Sequence, residues 1–192
     1  GNPKVFIHKT EAVAINPSLH LLLDASASMY GKRMELATAS CHAIASACSG
    51  IRGLNITITA FNGNHRGDAC SVYPLLKSGQ PVHARINLMP SGGTPLAPAL
   101  WWVMQQLLFT REQRKMLLVL TDGQPHDMNA TQKAIETASK IGLEVYGLGM
   151  LDRSIGDFLL DTSRVICRLE ELPAMLFELL HDVLTRKSRP CL

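Results

Sequence analysis

Apolar and polar positions alternate in two rhythms along the chain. Residues 19–23 form an apolar run, the mark of a strand covered on both faces. Residues 32–48 carry Met34, Ala37, Cys41, Ile44 and Cys48 at helical spacing, with Gly50 as the stop. Residues 55–61 alternate Ile and Thr, a strand pattern, and 71–76 read as a short edge strand. A helix follows "SGGTP", with Thr94 expected at the N-cap and Pro95 in the first turn; Leu96, Leu100, Met104 and Leu107 make its buried stripe. Residues 116–120 are another strand, apolar throughout. Residues 129–141 predict a helix with Ala134, Ile135, Ala138 and Ile141 on one face, and 144–148 a strand. A short helix at 154–160, a short strand at 164–167 and a closing helix at 172–185 complete the pattern, the last with Leu172, Leu176, Leu179 and Val183 inward. This alternation predicts a doubly wound α/β domain around a mostly parallel sheet, with helices on both faces.

Length and composition narrow the picture. The 192 residues suit one domain, and the 46% hydrophobic content supports a core built mainly from aliphatic residues, since aromatics are only 5%. We read residues 1–18 as an N-terminal arm, the end of an upstream region, 19–185 as the domain and 186–192 as a basic tail. The net charge of +3 points to no nucleic acid partner. No apolar run approaches the roughly 18 residues of a membrane span, and no leader pattern opens the sequence. Five cysteines, at 41, 48, 70, 167 and 191, form no Cys-x-x-Cys pair. Free thiols and a cytoplasmic location are expected.

Three polar clusters fall where the predicted strands end or the helices begin. Asp24, Ser26 and Ser28 follow the first strand, Gly92-Gly93-Thr94 precedes a helix, and Thr121-Asp122-Gly123 follows the 116–120 strand. In a doubly wound fold that edge carries the ligand site. All the donors are hard oxygens, with no thiolate or imidazole, a set suited to Mg²⁺, Mn²⁺ or Ca²⁺ rather than zinc or copper. Taken singly, each cluster is an ordinary cap or turn. Their joint occurrence at these boundaries is what points to a site.

Asp-x-Ser-x-Ser, the Thr of Gly-Gly-Thr-Pro and the later Thr-Asp-Gly together resemble the metal-ion-dependent adhesion site of von Willebrand factor type A (vWA) domains. The likeness covers about residues 19–185. It implies a central sheet of about six strands with one antiparallel edge strand. It also implies a cation contacted by Ser26, Ser28 and Thr94, with Asp24 and Asp122 holding it largely through waters. One coordination position would remain for an Asp or Glu of a protein partner. Ala27 stands where the family commonly has Gly between the two serines. The segments "LHLLLDASASM", "SGGTPLAPALWWV", "LLVLTDGQPHD" and "VYGLGM" resemble the bacterial intracellular branch. That branch includes the CobT-type cobaltochelatase subunit and nitric-oxide-reductase activation protein D, and implies a MoxR-type AAA+ ATPase, or its substrate, as partner.

The expected activity is therefore binding rather than catalysis. The alternatives are a Mg²⁺-dependent hydrolase or phosphotransferase with Asp24 as nucleophile, and an extracellular adhesion domain. The enzyme reading lacks a second carboxylate beside Asp24, a phosphate-cradling glycine loop and a Ser–His–Asp set. His126 and Asp127, just after the third cluster, are read as a solvated loop in preference to a rim contact to a partner, and Asn62, Asn64 and His65 as a rim of the site. The remaining histidines show no paired metal spacing. One of Trp101 and Trp102 is expected in the core and the other partly exposed. Arg186, Lys187 and Arg189 are read as a solvated tail.

Overall fold

The computed structural model describes residues 16–64, 69–82, 86–159 and 161–185. The elements run β1 (Pro17–Asp24), α1 (Lys32–Ser49), β2 (Asn55–Gly63), β3 (Cys70–Leu76), α2 (Leu96–Leu108), β4 (Arg114–Thr121), α3 (Met128–Lys140), β5 (Leu143–Met150), β6 (Ser163–Ile166) and α4 (Leu172–Thr185). Short 3-10 turns lie at Ala27–Met29, Ser154–Asp157 and Leu169–Glu171. The strands form one six-stranded sheet in the order β3-β2-β1-β4-β5-β6. β3 is antiparallel to β2, and every other neighbouring pair is parallel. This is the doubly wound α/β architecture expected from the alternation of elements.

The period-two side-chain alternation of the central strands builds the core. Leu19, Leu21 and Leu23 of β1 and Met116, Leu118 and Leu120 of β4 pack on α1 through Ala37, Cys41, Ile44 and Cys48. Leu22, Leu117 and Val119 face the opposite way, onto Leu96, Leu100 and Val103 of α2 and Ala134 and Ala138 of α3. Both faces are covered, which is why β1 and β4 carry apolar runs rather than an alternating pattern. Trp102 packs against the second layer and Trp101 is 44% exposed. Leu172 of α4 joins the first layer. The side chains of Leu176, Leu179 and Val183 lie outside the described residues, as do His8, His65, His83, Cys191 and the basic tail. Among the described residues, Cys41, Cys48, Cys70 and Cys167 are free thiols, and no helix is long and apolar enough to cross a membrane.

Two local expectations fail. Thr94 is not the N-cap of α2. Pro95 holds that position without a side-chain bond, and the helix proper starts at Leu96. The Thr94 carbonyl instead accepts the His126 and Leu96 amides, so this residue belongs to a loop clamped by a distant segment. Ile141 does not complete the buried face of α3. It is the C-cap and 45% exposed, while Thr131 is fully buried with its hydroxyl on the Asp127 carbonyl.

One polar residue interrupts the β1 run. His20 lies buried between two hydroxyls of β2, with Nε2 3.0 Å from Thr59 Oγ1 and Nδ1 2.9 Å from Thr57 Oγ1. A neutral imidazole, one nitrogen donating and the other accepting, satisfies both contacts. Burial lowers its pKa from 6.5 to about 4. Below pH 6.5 the unfolded chain takes up a proton that the folded chain refuses, so stability falls until about pH 4. The loss is about 3 kcal/mol at most. Asp24, raised to about 6, gives an opposite slope between its ordinary value of 3.8 and about 6. The difference between wild type and His20→Gln isolates the histidine. In urea titrations from pH 7 to pH 4, wild type should lose stability relative to the variant; parallel curves would contradict the assignment.

Candidate metal centre

The chain steps outward from β1 to β2 and β3, then returns to place β4 on the other side of β1. The crevice between the carboxyl ends of β1 and β4 is thus the switch point where doubly wound folds bind ligands. Leu23 pairs with Leu120, which sets Asp24 beside Thr121 at that edge. Asp24 is completely buried. Its Oδ1 accepts the Ser26 amide at 2.8 Å and its Oδ2 the Thr121 hydroxyl at 2.5 Å. Burial pushes its pKa up to about 6, against the bonds from Thr121 and Ser26 that pull it down.

The next residues continue the network. Ser26 Oγ and Ser28 Oγ stand 3.0 Å apart, and Ser28 Oγ donates to Asp122 Oδ1 at 2.9 Å. Thr121, Asp24, Ser26, Ser28 and Asp122 therefore form one continuous polar chain linking segments nearly a hundred residues apart. Burial raises the Asp122 pKa; the Ser28 bond and the charge of Arg33 pull it down, and Asp152 pushes it up again.

The third segment is tied in through its backbone. Ala27 N–H donates to the Gly92 carbonyl at 3.0 Å, and Ser91 N–H to the Ala25 carbonyl at 2.9 Å. Gly63 N–H, at the end of β2, donates to the Gly93 carbonyl at 2.8 Å, and Asn62 Nδ2 reaches Ser91 Oγ at 3.0 Å. Thr94, itself buried, is thereby docked against the other two loops. All five candidate residues, Asp24, Ser26, Ser28, Thr94 and Asp122, gather at one end of two adjacent strands.

These donors fit a hard divalent cation. Cis oxygens of an octahedron with bonds of 2.0–2.1 Å stand about 3 Å apart, which matches the separation of the Ser26 and Ser28 hydroxyls. Ser28 spends its hydrogen on Asp122 and accepts that of Ser26, which leaves it one lone pair to coordinate an ion. Among the described residues no group of three or more His, Cys, Asp or Glu converges as a metal cage. An ion here would rest mainly on neutral hydroxyls. An ion so held keeps more of its positive charge and draws an anionic donor from outside.

Three contributors escaped the sequence reading. Arg33, on the first turn of α1, places Nε 3.2 Å from Asp122 Oδ2. Asp152, in the loop after β5, accepts the Ser154 amide at 2.7 Å, and its carboxyl sits below the usual range through its bonds to Ser154 and the charge of Arg33. His126 is exposed, as a loop residue should be, but it also braces the second loop. Its amide bonds to the Thr94 carbonyl, its Nε2 lies 3.4 Å from the Thr94 amide, and a Cβ on Gly93 would fall 2.0 Å from the ring. Asp127 N-caps α3 through the Ala130 amide. The only sequence signal for Asp152 was its place after a strand on the site edge. Arg33 gave none, since its target is remote in the chain, and His126 gave only its place just after Thr121-Asp122-Gly123.

The family model described as von Willebrand factor type A domain matches residues 18–165. No curated protein matches the sequence. Among solved structures, the manganese-loaded TRAP protein of Plasmodium vivax is similar at a TM-score of 0.63 and 16% identity, over 84% of this chain and 72% of that one. Proximal thread matrix protein 1 from the mussel byssus, with a zinc-occupied MIDAS motif, is similar at 0.61 and 12%, over 86% and 45%. The vWF domain of the type V pili tip protein Mfa5 from Porphyromonas gingivalis is similar at 0.67 and 10%, over 94% and 100%. At such identities the likeness is one of fold.

Proposed function

The chain belongs to the von Willebrand factor type A domain family, and we propose that it is a non-catalytic binding module. In this reading Asp24, Ser26, Ser28, Thr94 and Asp122 hold a divalent cation, Mg²⁺ or else Mn²⁺ or Ca²⁺, and a protein partner completes the site with an Asp or Glu. The observation that carries it is the Ser26–Ser28 hydroxyl pair, spaced as an octahedral edge and backed by two carboxylates. When bound, the cation supplies a Lewis-acidic point of attachment for a carboxylate. The chain supplies the rest. Asp24 and Asp122 orient the hydroxyls and balance the charge, and the Gly92–Thr94 loop closes the third side. Tyr30, two residues beyond Ser28, and Met89, two before Ser91, are large exposed apolar side chains suited to a protein surface.

The geometry speaks against the hydrolase alternative. A nucleophilic Asp24 would need an open approach, yet it is fully buried with both oxygens engaged. Manganese and zinc in the similar structures support divalent metal use without selecting the ion.

For the setting, we place the domain in the cytoplasm, acting with a MoxR-type AAA+ ATPase or its substrate. The likeness of its motif segments to the intracellular branch supports this, as does the exposed free thiol of Cys167. The adhesive reading draws on the pilus tip neighbour. Immobilised protein incubated with lysate of the source cell in Mg²⁺ should retain a partner that EDTA releases and that the Asp122→Ala form fails to hold. An AAA+ ATPase or its substrate in that fraction would fit the intracellular setting. A partner kept equally in EDTA and by Asp122→Ala would contradict metal bridging.

A further inference from the structure

Arg33 occupies a position that local helix chemistry disfavours. It is the second residue of α1, where the helix dipole presents positive charge and an acidic side chain would be preferred. Its contacts run to the candidate metal centre. Its Nη1 donates to the Ser28 carbonyl at 3.4 Å while Nε sits 3.2 Å from Asp122 Oδ2, so the guanidinium spans the first and third loops. The contact with Asp122 is one of charge rather than an aligned hydrogen bond, since the shielded Nε–H has no acceptor in good geometry. The Asp122 side chain is 2% exposed and that of Arg33 40%. A buried carboxylate is therefore balanced by a cation that has room to leave. The same guanidinium also lowers the pKa of Asp152, so its charge is shared between two carboxylates of this edge.

We propose that Arg33 is a built-in counter-ion of the metal-free centre that competes with the divalent cation for Asp122 and so sets the cation affinity. The inference rests on the metal-binding reading given above. Without a divalent ion, the guanidinium neutralises Asp122 and keeps the first and third loops together. Two further positive charges at the Ser26–Ser28 pair would lie close to the guanidinium. Like charges at that range in a partly buried site repel strongly, so loading the site requires Arg33 to swing outward or to weaken the binding. Removing the arginine leaves Asp122 buried without a counter-charge. That destabilises the metal-free fold and makes an incoming cation the better partner.

Isothermal titration of MgCl₂ into the metal-stripped full chain tests this, with Arg33→Gln, Arg33→Lys and Asp122→Asn alongside wild type. Arg33→Gln should bind Mg²⁺ about tenfold more tightly than wild type, the scale of one close charge. It should also melt at a lower temperature than wild type before metal is added. Arg33→Lys keeps the charge and should return the affinity toward the wild-type value. Asp122→Asn should bind less tightly than any of them. Wild type binding Mg²⁺ with Arg33→Gln equal or weaker would overturn the counter-ion role while leaving the metal site intact. An unchanged melting temperature of metal-free Arg33→Gln would overturn it as well. Failure of both wild type and Arg33→Gln to bind Mg²⁺ or Mn²⁺ would remove the metal reading itself, and this inference with it.

Discussion

Asp24→Asn protein should show no rise in melting temperature on addition of Mg²⁺ or Mn²⁺, whereas wild type should gain roughly 5–10 °C at a metal concentration about one hundred times the Kd. The figure follows from linkage: that ratio stabilises the folded state by about 2.7 kcal/mol, and a domain of this size shifts by about 2–4 °C per kcal/mol. The substitution keeps the shape of the side chain and removes its charge. Asp24 lies at the closed end of the crevice, with Ser26 on one oxygen and Thr121 on the other. A neutral amide there no longer offsets a divalent ion, while its oxygen can still accept the Ser26 amide and its NH₂ group can turn to the Thr121 hydroxyl. Thermal unfolding followed by circular dichroism, with and without metal, is the measurement. An undiminished metal-induced rise in Asp24→Asn would exclude Asp24 from the centre.

Gly92→Ala should be the most damaging small substitution in the site, costing about 3–5 kcal/mol of stability and the metal response together. Two constraints coincide there. Gly92 has φ +68, the left-handed region that side chains disfavour, and a Cβ on it would lie 1.7 Å from the Gly63 carbonyl oxygen. That neighbour is backbone at the end of a core strand and cannot turn aside. The loop would have to lift, breaking the Ala27-to-Gly92 and Gly63-to-Gly93 hydrogen bonds that dock Thr94. Gly93→Ala should be milder. Its clash is with the ring of His126, an exposed side chain that can swing away. Urea unfolding of the two variants checks the order. Equal, small losses would mean that the loop is not docked as described.

These effects show which features can be read from the chain alone. β1 and β4 were legible because strands covered on both faces are largely apolar: 116–120 is apolar throughout, and 19–23 is broken only by His20. The meeting of Asp24 and Asp122 was legible because both follow those strands directly, so that the doubly wound topology alone brings them to one crevice. Most strand ends were read one or two residues short, since polar residues such as Ser163 and Arg114 enter the ladder through their backbones. Arg114 does so while forming a two-pronged pair with Glu144 across β4 and β5.

What escaped was contact between remote segments. Nothing in "YGKRM" shows that Arg33 meets a carboxylate 89 positions later. Nor does the His126 loop announce that its ring closes over Gly93 and takes Thr94 away from capping α2. The burial of Thr131 in place of Ile141 has a nearer origin: Ile141 falls at the C-cap, where α3 ends, while Thr131 turns its hydroxyl onto the Asp127 carbonyl. Local pattern set the elements, and tertiary contacts set the phase and the caps.

The central claim is that three loops share one divalent cation. Anomalous diffraction from Mn²⁺-soaked crystals of the protein tests it most directly. A single manganese peak about 2.0–2.6 Å from Ser26 Oγ and Ser28 Oγ, within the crevice closed by Thr94, Asp24 and Asp122, is the result this account requires. Well-ordered crystals at saturating Mn²⁺ with no peak there, or with manganese only on surface carboxylates, would contradict it.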